Sequence, residues 1–290
     1  MRFIMPWWFK IVVKIILSRI PIKYSFWKYL GIFRHGYMAQ TSYAIDVFNN
    51  HVSRAGLKGK LHGKVVLEIG PGDSIATAIV AASYGAKAIL VDVGRFATSD
   101  MSRYNDIIVF LKRAGLNPPD ISEAKSIEEI LVACNAKYIT DGLKSFSSVE
   151  SSSIDLVFSQ AVLEHIRKHD FIGMMKECFR ILTCEGVASH RIDLKDHLGG
   201  SLNNLRFNEY IWESNFFANS GFYTNRIRFI KMLDIFKELG FASEVINVRR
   251  WESLPIKKTI LSKEFSFLPD KDLIVSGFDV ILTKNVKFSS

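Results

Sequence analysis

The apolar and polar positions of the chain fall into two regimes. From about residue 64 onward, short apolar runs alternate with longer stretches of helical period, the pattern of βαβ units. The runs predict strands at 64–69, 88–93, 137–140, 154–159 and 186–193, with helices at 75–84, 101–114, 127–134 and 171–182 between them. A later helix, 228–239, ends at Gly240, and "FASEVINVRR" and "SGFDVILTK" supply two more strands. One helix, 43–55, precedes the first strand. Seven strands with interleaved helices predict a single α/β domain over 41–290, built on a doubly wound, Rossmann-like sheet. The stretch "SFSSVESSS" is a polar loop inside it. Residues 195–226, rich in Asn and aromatics, follow the fifth strand, where a lid or substrate element sits in such a sheet.

The N-terminal segment, 1–40, reads differently. On a helix, Lys10, Lys14 and Ser18 share one face, and Ile11, Val12, Ile15 and Ile16 cover most of the rest. Trp7, Trp8 and Phe9 lie ahead of this stretch and Tyr24, Phe26, Trp27 and Tyr29 behind it, ring types suited to the headgroup level of a bilayer. Lys10 and Lys14 interrupt any signal-peptide core and no small-residue cleavage site follows. No window of about 20 residues is free of Lys and Arg, as a spanning helix requires. The expectation is an amphipathic extension lying on the cytoplasmic face of a membrane, lysines toward anionic lipid. A cap on the domain or a contact between copies is the alternative.

Charge sharpens this division. The net charge is +9, and seven basic residues (Arg2, Lys10, Lys14, Arg19, Lys23, Lys28 and Arg34) with no acidic ones precede residue 46. Nine minus seven leaves the core domain near +2, which excludes a nucleic-acid binder on charge grounds. Cys134, Cys178 and Cys184 show neither CxxC nor metal-ligand spacing and read as buried apolar side chains in a reducing compartment.

The chemistry starts at "VVLEIGPGDS", 65–74, a buried strand running into a glycine turn. A dinucleotide fingerprint would place a third glycine where Ile75 stands, and Glu68 and Asp73 would repel a pyrophosphate. No GK[ST] follows, so a P-loop is excluded. Carboxylates there suit a cation, and a nucleoside without phosphates but with a sulfonium is S-adenosylmethionine. At these residues the chain resembles the class I S-adenosylmethionine-dependent methyltransferases, whose first motif is E-x-G-x-G. "ILVDV" carries Asp92, about 20 residues past the glycines, where an acid takes ribose hydroxyls. "SSSIDLVFSQAVLEHI" is similar to the fourth-strand block of the type 11 subgroup. The resemblance runs from about residue 64 to 284. It implies a seven-stranded methyltransferase sheet with the backbone of Gly70, Pro71 and Gly72 against the donor and Glu68 and Asp73 near its aminoacyl end. It further implies Asp92 on the ribose, Val93 by the adenine, Asp141 and Gly142 flanking it, and Ser159, Gln160 and Ala161 under the methyl. A plain turn role is the alternative for Asp141.

For the acceptor, "SHRIDLKDHLGG" at the end of the fifth strand carries the candidates. Strand alternation sends His190 and Ile192 one way and Arg191 and Asp193 the other, with Asp193, Asp196 and His197 at the carboxyl end. A histidine beside a carboxylate is the make-up of a general base, so His197 or His190 is expected as base with Asp196 or Asp193 assisting. A divalent ion on Asp193 and Asp196, or a loop-ordering role for the acids, are the alternatives. His165 in "LEHI" is a candidate substrate contact or a packing residue. "HRIDLKDH", "LRFNEYIWESN" and "YTNRIR" resemble methyltransferases of bacterial cell-surface polysaccharide synthesis. That resemblance implies O-methylation of a sugar hydroxyl on a glycan or its lipid-linked precursor. Asn203, Asn204, Asn208, Trp212, Asn215, Tyr223 and Asn225 are the sugar-recognition candidates, or else a structured insert. The alternative acceptor is a hydrophobic metabolite such as a quinone precursor or lipid. "FSQA" in place of an NPPY-type motif argues against nucleic-acid amines, and the intact Glu68, Gly70, Gly72 and Asp92 set argues against a donor-binding scaffold without activity.

Overall fold

The computed structural model describes residues 6–17, 19 and 38–285. Ser18, Tyr24, Phe26, Trp27 and Tyr29, given membrane-facing or polar-face roles above, lie outside the described residues. Seven strands form one sheet: β1 Val65–Ile69, β2 Lys87–Val91, β3 Lys137–Ile139, β4 Ile154–Gln160, β5 Leu182–Asp193, β6 Phe241–Arg250 and β7 Val275–Lys284. Their order is β3-β2-β1-β4-β5-β7-β6. The first five pair in parallel, and β7 runs antiparallel to both β5 and β6. This is the doubly wound α/β architecture expected from the alternation.

The helices are α1 Trp7–Leu17, α2 Thr41–Arg54, α3 Ala76–Ser83, α4 Met101–Arg113, α5 Ile127–Ala133, α6 Lys168–Ile181, α7 Glu209–Trp212, α8 Asn215–Ala218, α9 Phe229–Glu238, α10 Lys263–Ser266 and α11 Asp270–Leu273. Parallel strands need crossovers, and α3, α4 with α5, and α6 supply them. Because helices cover both faces, β1 and β4 are near-continuous apolar runs rather than alternating ones. On one face Val66, Leu90, Leu156 and Phe158 pack with Phe48 of α2, Ile79 of α3 and Tyr104 of α4. On the other, Leu67, Val157, Ala188 and Ile192 pack with Phe171 and Met175 of α6 and Phe236 of α9. Side-chain caps set two helix starts: Asp100 accepts from Ser102 N at α4, and Ser126 from Glu129 N at α5.

Residues 195–226 fold as a compact insert. Trp212, fully buried, gathers Leu198, Phe222, Tyr223 and Ile11 of α1 into one cluster. Helix α1 therefore docks on the insert, with Trp7 edge-on to Phe207 at 6.2 Å. This corrects the expected orientation of the extension. Ile11 turns into protein, and the Lys14 ammonium donates to the His197 carbonyl at 3.3 Å instead of facing outward. None of the described helices is long and apolar enough to cross a membrane. Cys134 and Cys178 are buried as expected, but Cys184 is exposed: it lies where β5 begins, at an irregular register with β4.

Candidate active site

The site sits at the carboxyl ends of β1, β2, β4 and β5, the ligand side of an open α/β sheet. The chain leaves β1 through Gly70 and Gly72, both left-handed (φ +72° and +64°), a conformation that glycine adopts without strain. A Cβ on Gly70 would stand 2.6 Å from Val162 Cγ2, so the turn is pressed against the segment leaving β4. Just before it, Glu68 is fully buried and its Oε2 has no hydrogen-bond partner. Burial, and then the neighbouring Asp92, push its carboxyl up to about 8. An orphaned, desolvated acid beside a glycine turn is a group waiting for a cation.

Asp92, at the end of β2, accepts from Gly72 N at 3.1 Å and Val93 N at 2.7 Å. Burial raises its carboxyl despite these two amides. Val93 is 76% exposed over the same edge, and Gly142 N donates to the Asp92 carbonyl at 2.9 Å. The structure thus gathers Glu68, the glycine turn with Pro71, Asp92, Val93 and Gly142 along one edge of the sheet. Asp141 is exposed beside it, its amide bonded to Ser145 Oγ. Asp73 is turned away: its Oδ1 accepts from Ala39 N at 2.9 Å, so it anchors the segment entering α2.

The end of β4 is a buried polar network, not an open floor. Ser159 Oγ bonds His190 Nδ1 at 2.8 Å. Gln160 Oε1 meets His51 Nε2 at 3.2 Å, and its amide donates to the Tyr43 hydroxyl at 3.1 Å. Ala161 follows in the left-handed region (φ +56°), its amide bonded to the Arg191 carbonyl, and this turn aims the next residues across the sheet end.

His190 is fully buried, and burial pushes its imidazole down to about 3. Its alternation with Ile192 is as expected, but the ring is wholly closed off from solvent, so the base role assigned to it is withdrawn. Asp196 is also reassigned. Its Oδ1 accepts from the amides of Leu198, Gly199 and Gly200, and its Oδ2 from the amide and side chain of Asn203. With five donors on one carboxylate it orders the loop, and neither oxygen is left for a histidine or a cation. Asp193 pairs with Lys195 through Oδ1 to the amide and Oδ2 to the ammonium at 3.4 Å. No group of three or more His, Cys, Asp or Glu able to hold a metal occurs among the described residues.

What stands beside His197 is another histidine. The His165 and His197 rings lie 4.8 Å apart between centroids, tilted by 30°. His165 Nδ1–H donates to the Tyr223 carbonyl at 3.0 Å, which leaves the Nε2 lone pair free. Neither ring nitrogen of His197 is bonded among the described residues. Both rings touch solvent, yet protein crowds them as it does groups lining a cleft. That crowding holds both imidazoles below the usual range, with His165 and Lys14 further lowering His197. Lys14 of α1 completes the group, half-buried and without an ion pair among the described residues.

The sugar-recognition candidates are mostly spent on the insert itself. Asn204 bonds Thr224 Oγ1, Asn208 caps α7, Trp212 Nε1 donates to the Thr224 carbonyl, and Asn225 holds the Leu163 and Ile166 carbonyls. Asn203 serves Asp196, and Tyr223 links Lys168 to Glu213. Of the set, Asn208 and Asn215 are exposed. One residue went unread in the sequence: Glu164, beside His165. It is 2% exposed, its Oε1 accepts from Asp193 N, its carbonyl accepts from Asn225 N, and burial pushes its carboxyl up to about 8. The signal available for it was an acid inside the apolar "AVLEHI" run.

No family model matches the chain, and no curated protein matches it. Solved structures do. An S-adenosylmethionine-dependent methyltransferase from Archaeoglobus fulgidus aligns over 82% of this chain and 92% of its own, at 15% identity and a TM-score of 0.44. Phosphoethanolamine N-methyltransferase 2 of Haemonchus contortus, in complex with phosphomonomethylethanolamine and S-adenosylhomocysteine, aligns over 87% of this chain at 15% identity and a TM-score of 0.43. The alignment covers 52% of that enzyme, about half its length. Magnesium protoporphyrin IX methyltransferase from Synechocystis, with S-adenosylmethionine bound, aligns over 83% of this chain and 80% of its own, at 10% identity and a TM-score of 0.41.

Proposed function

We propose that the protein is an S-adenosylmethionine-dependent O-methyltransferase that acts on a sugar hydroxyl of a cell-surface glycan or its lipid-linked precursor, at the cytoplasmic face of a membrane. The observation that carries the oxygen acceptor is the pair of imidazoles that face each other 4.8 Å apart on the turns after β4 and β5. A sugar hydroxyl is too weak an acid to lose its proton unaided, and these are the uncommitted bases on the ligand side of the sheet.

The edge of the sheet at β1 and β2 fits the donor in the chemistry of its groups. Glu68, with an unpartnered oxygen, would face the cationic aminoacyl end. Gly70, Pro71 and Gly72 allow close approach of backbone, Asp92 would take the ribose, and Val93 and Gly142 the adenine. Bound there, S-adenosylmethionine supplies an activated methyl on sulfur. The acceptor oxygen–methyl bond forms as the sulfur–methyl bond breaks, leaving S-adenosylhomocysteine. The hydroxyl proton becomes strongly acidic as that bond forms, so an imidazole held below its usual range still takes it. His165 would do so at Nε2, since Nδ1–H is held by the Tyr223 carbonyl. The insert and α1 pack against the two imidazoles on one side and leave them open to an incoming acceptor on the other.

Glycan identity rests on the resemblance of the "HRIDLKDH" and "YTNRIR" stretches, since most of the Asn and aromatic set is structural. The test pairs calorimetric titration of the protein with S-adenosylmethionine and mass spectrometry of lipid-linked and surface glycans from cells with and without the gene. Micromolar donor binding and a sugar lighter by one CH2 in the deletion are expected. Absent donor binding sinks the methyl-transfer reading, and unchanged glycans beside an accumulating quinone or lipid precursor sink the glycan.

A further inference from the structure

Helix α1 has two apolar faces, and the docked one is only half of it. Trp7, Ile11 and Ile15 pack into the insert with Leu198 and Trp212. On the neighbouring arc, about 100° round the helix, Trp8, Phe9, Val12 and Ile16 are 55%, 41%, 47% and 56% exposed. Positions 8, 12 and 16 follow one another at i, i+4 and i+8, so this is a continuous stripe and not scattered side chains. A helix of 11 residues spans about 16 Å, too short to cross a bilayer but long enough to lie along one. Charge selects the surface it fits. The seven basic residues before residue 46, unaccompanied by any acid, complement an anionic lipid surface and oppose a second copy of the same segment.

The inner side of the same helix reaches the cleft. The Lys14 ammonium donates to the His197 carbonyl at 3.3 Å, and Arg19 adds a second tie, donating to the Phe216 carbonyl at 2.7 Å. A plane lying on Trp8, Val12 and Ile16 is therefore separated from His197 by one helix, about 10 Å.

We propose that α1 is at once the membrane-contacting element and a wall of the acceptor cleft, so that the methylated group belongs to a lipid-anchored acceptor whose polar head stands about one helix diameter above an anionic bilayer. This rests on the methyl-transfer reading for the reaction, but not for the surface. Lys14 lies on the side of the helix turned away from the bilayer, beside His197, where its ammonium would meet an anionic link of the acceptor such as a phosphate. A freely diffusing sugar nucleotide would need neither the stripe nor its placement.

The experiment uses the full chain and vesicles of phosphatidylcholine with and without phosphatidylglycerol. The wild type is expected to sediment with the anionic vesicles. Val12→Ser/Ile16→Ser, changed only on the exposed arc, should lose partitioning by at least about tenfold, because two aliphatic side chains leave the boundary. Its calorimetric affinity for S-adenosylmethionine should be unchanged. Incubation with donor carrying a tritiated methyl, and separately with organic and aqueous extracts of the source cells, should place label in the organic-extractable fraction. Wild type remaining in the supernatant, or a double variant that sediments like wild type, overturns the surface. So does a wild-type dimer in sedimentation velocity that the double variant dissociates, which would make the stripe a self-contact. Label confined to the aqueous extract overturns the anchored acceptor. A wild type without donor affinity overturns the acceptor half together with the methyl-transfer reading, while the vesicle result still decides the surface.

Discussion

The imidazoles of His165 and His197 lie 4.8 Å apart, one on the turn after β4 and the other on the loop after β5. Both are held below the ordinary histidine range by the crowding of the cleft. The base form is therefore present at pH values where a free imidazole is already protonated. Turnover at saturating donor should stay level to below pH 6.5 before its acid limb appears. His165→Ala should lose at least about tenfold in kcat with donor affinity intact, a typical loss for a general base, and His197→Ala should lose less. An acid limb centred at 6.5 or higher, or undiminished kcat in the His197 and His165 single variants, would remove the imidazoles from the mechanism.

Donor binding should release a proton near neutral pH. Glu68 is pushed up to about 8 by burial, so at pH 7 it is mostly protonated in the free protein. A cation at its Oε2 favours the carboxylate and expels the proton. Affinity for S-adenosylmethionine should rise with pH up to about 8, by as much as about tenfold per unit. Calorimetry in buffers of differing ionisation enthalpy reads the proton directly, and buffer-independent heats would place the donor elsewhere.

With Asp92 in the proposed ribose role, Asp92→Ala should weaken the donor by about tenfold or more, and the Gly72 amide also loses its acceptor. Asp92→Asn keeps an acceptor for one amide and should lose less. Equal affinity for wild type and both variants would reject the ribose role.

Gly70→Ala combines a left-handed φ of +72° with a Cβ 2.6 Å from Val162 Cγ2. The expected destabilisation is about 1–3 kcal/mol. Trimming the opposing side chain with Val162→Ala should recover the steric part but not the backbone part. A double variant no better than the sum of the two singles in urea unfolding would show that the contact is not the cause.

Four buried groups shape stability against pH. His51 and His190 sit folded at about 4 and about 3, below their unfolded 6.5, so the unfolded state holds more protons and stability falls as pH drops below 6.5. Glu68 and Glu164 sit at about 8, above their unfolded 4.5, so the folded state holds more protons and stability falls as pH rises from 4.5 to 8. Between about 4.5 and 6.5 the two slopes oppose each other, at up to about 1.4 kcal/mol per unit for each group. The urea midpoint should be broad and highest in that window, with declines on both sides. A maximum above pH 8 would mean that the two acids are ionised in the fold.

The strands were legible because a parallel sheet covered on both faces demands apolar runs, and such runs stand out between polar helix surfaces. The start of β5 shows the limit. Residues 182–185 continue the strand through a register irregularity with β4, and Gly186, whose Cβ would meet the Ile154 carbonyl oxygen at 2.8 Å, marks it. The glycine turn and Asp92 were readable because their spacing is local to one βαβ unit. The His165–His197 pair was not, since two loops 32 positions apart meet only once the insert has folded against the sheet end. Asp196 misled for the same reason. An acid next to a histidine in sequence looks like a dyad, but its oxygens turn to amides at 198–200 and 203. Lys14 was placed on a lipid-facing side because helical period alone does not say which face a distant insert will cover.

The contact between Lys14 and His197 closes a separation of 183 residues. During synthesis α1 leaves the ribosome with its partner unmade, and at about 5–20 residues per second the wait is roughly 10–40 s. Throughout it Trp7, Ile11 and Ile15 are as bare as Trp8, Val12 and Ile16, so the nascent helix is far stickier than the finished one. Whatever surface it meets first is therefore met before the insert exists, and the order of translation leaves these side chains uncovered until residues 198–223 have been made.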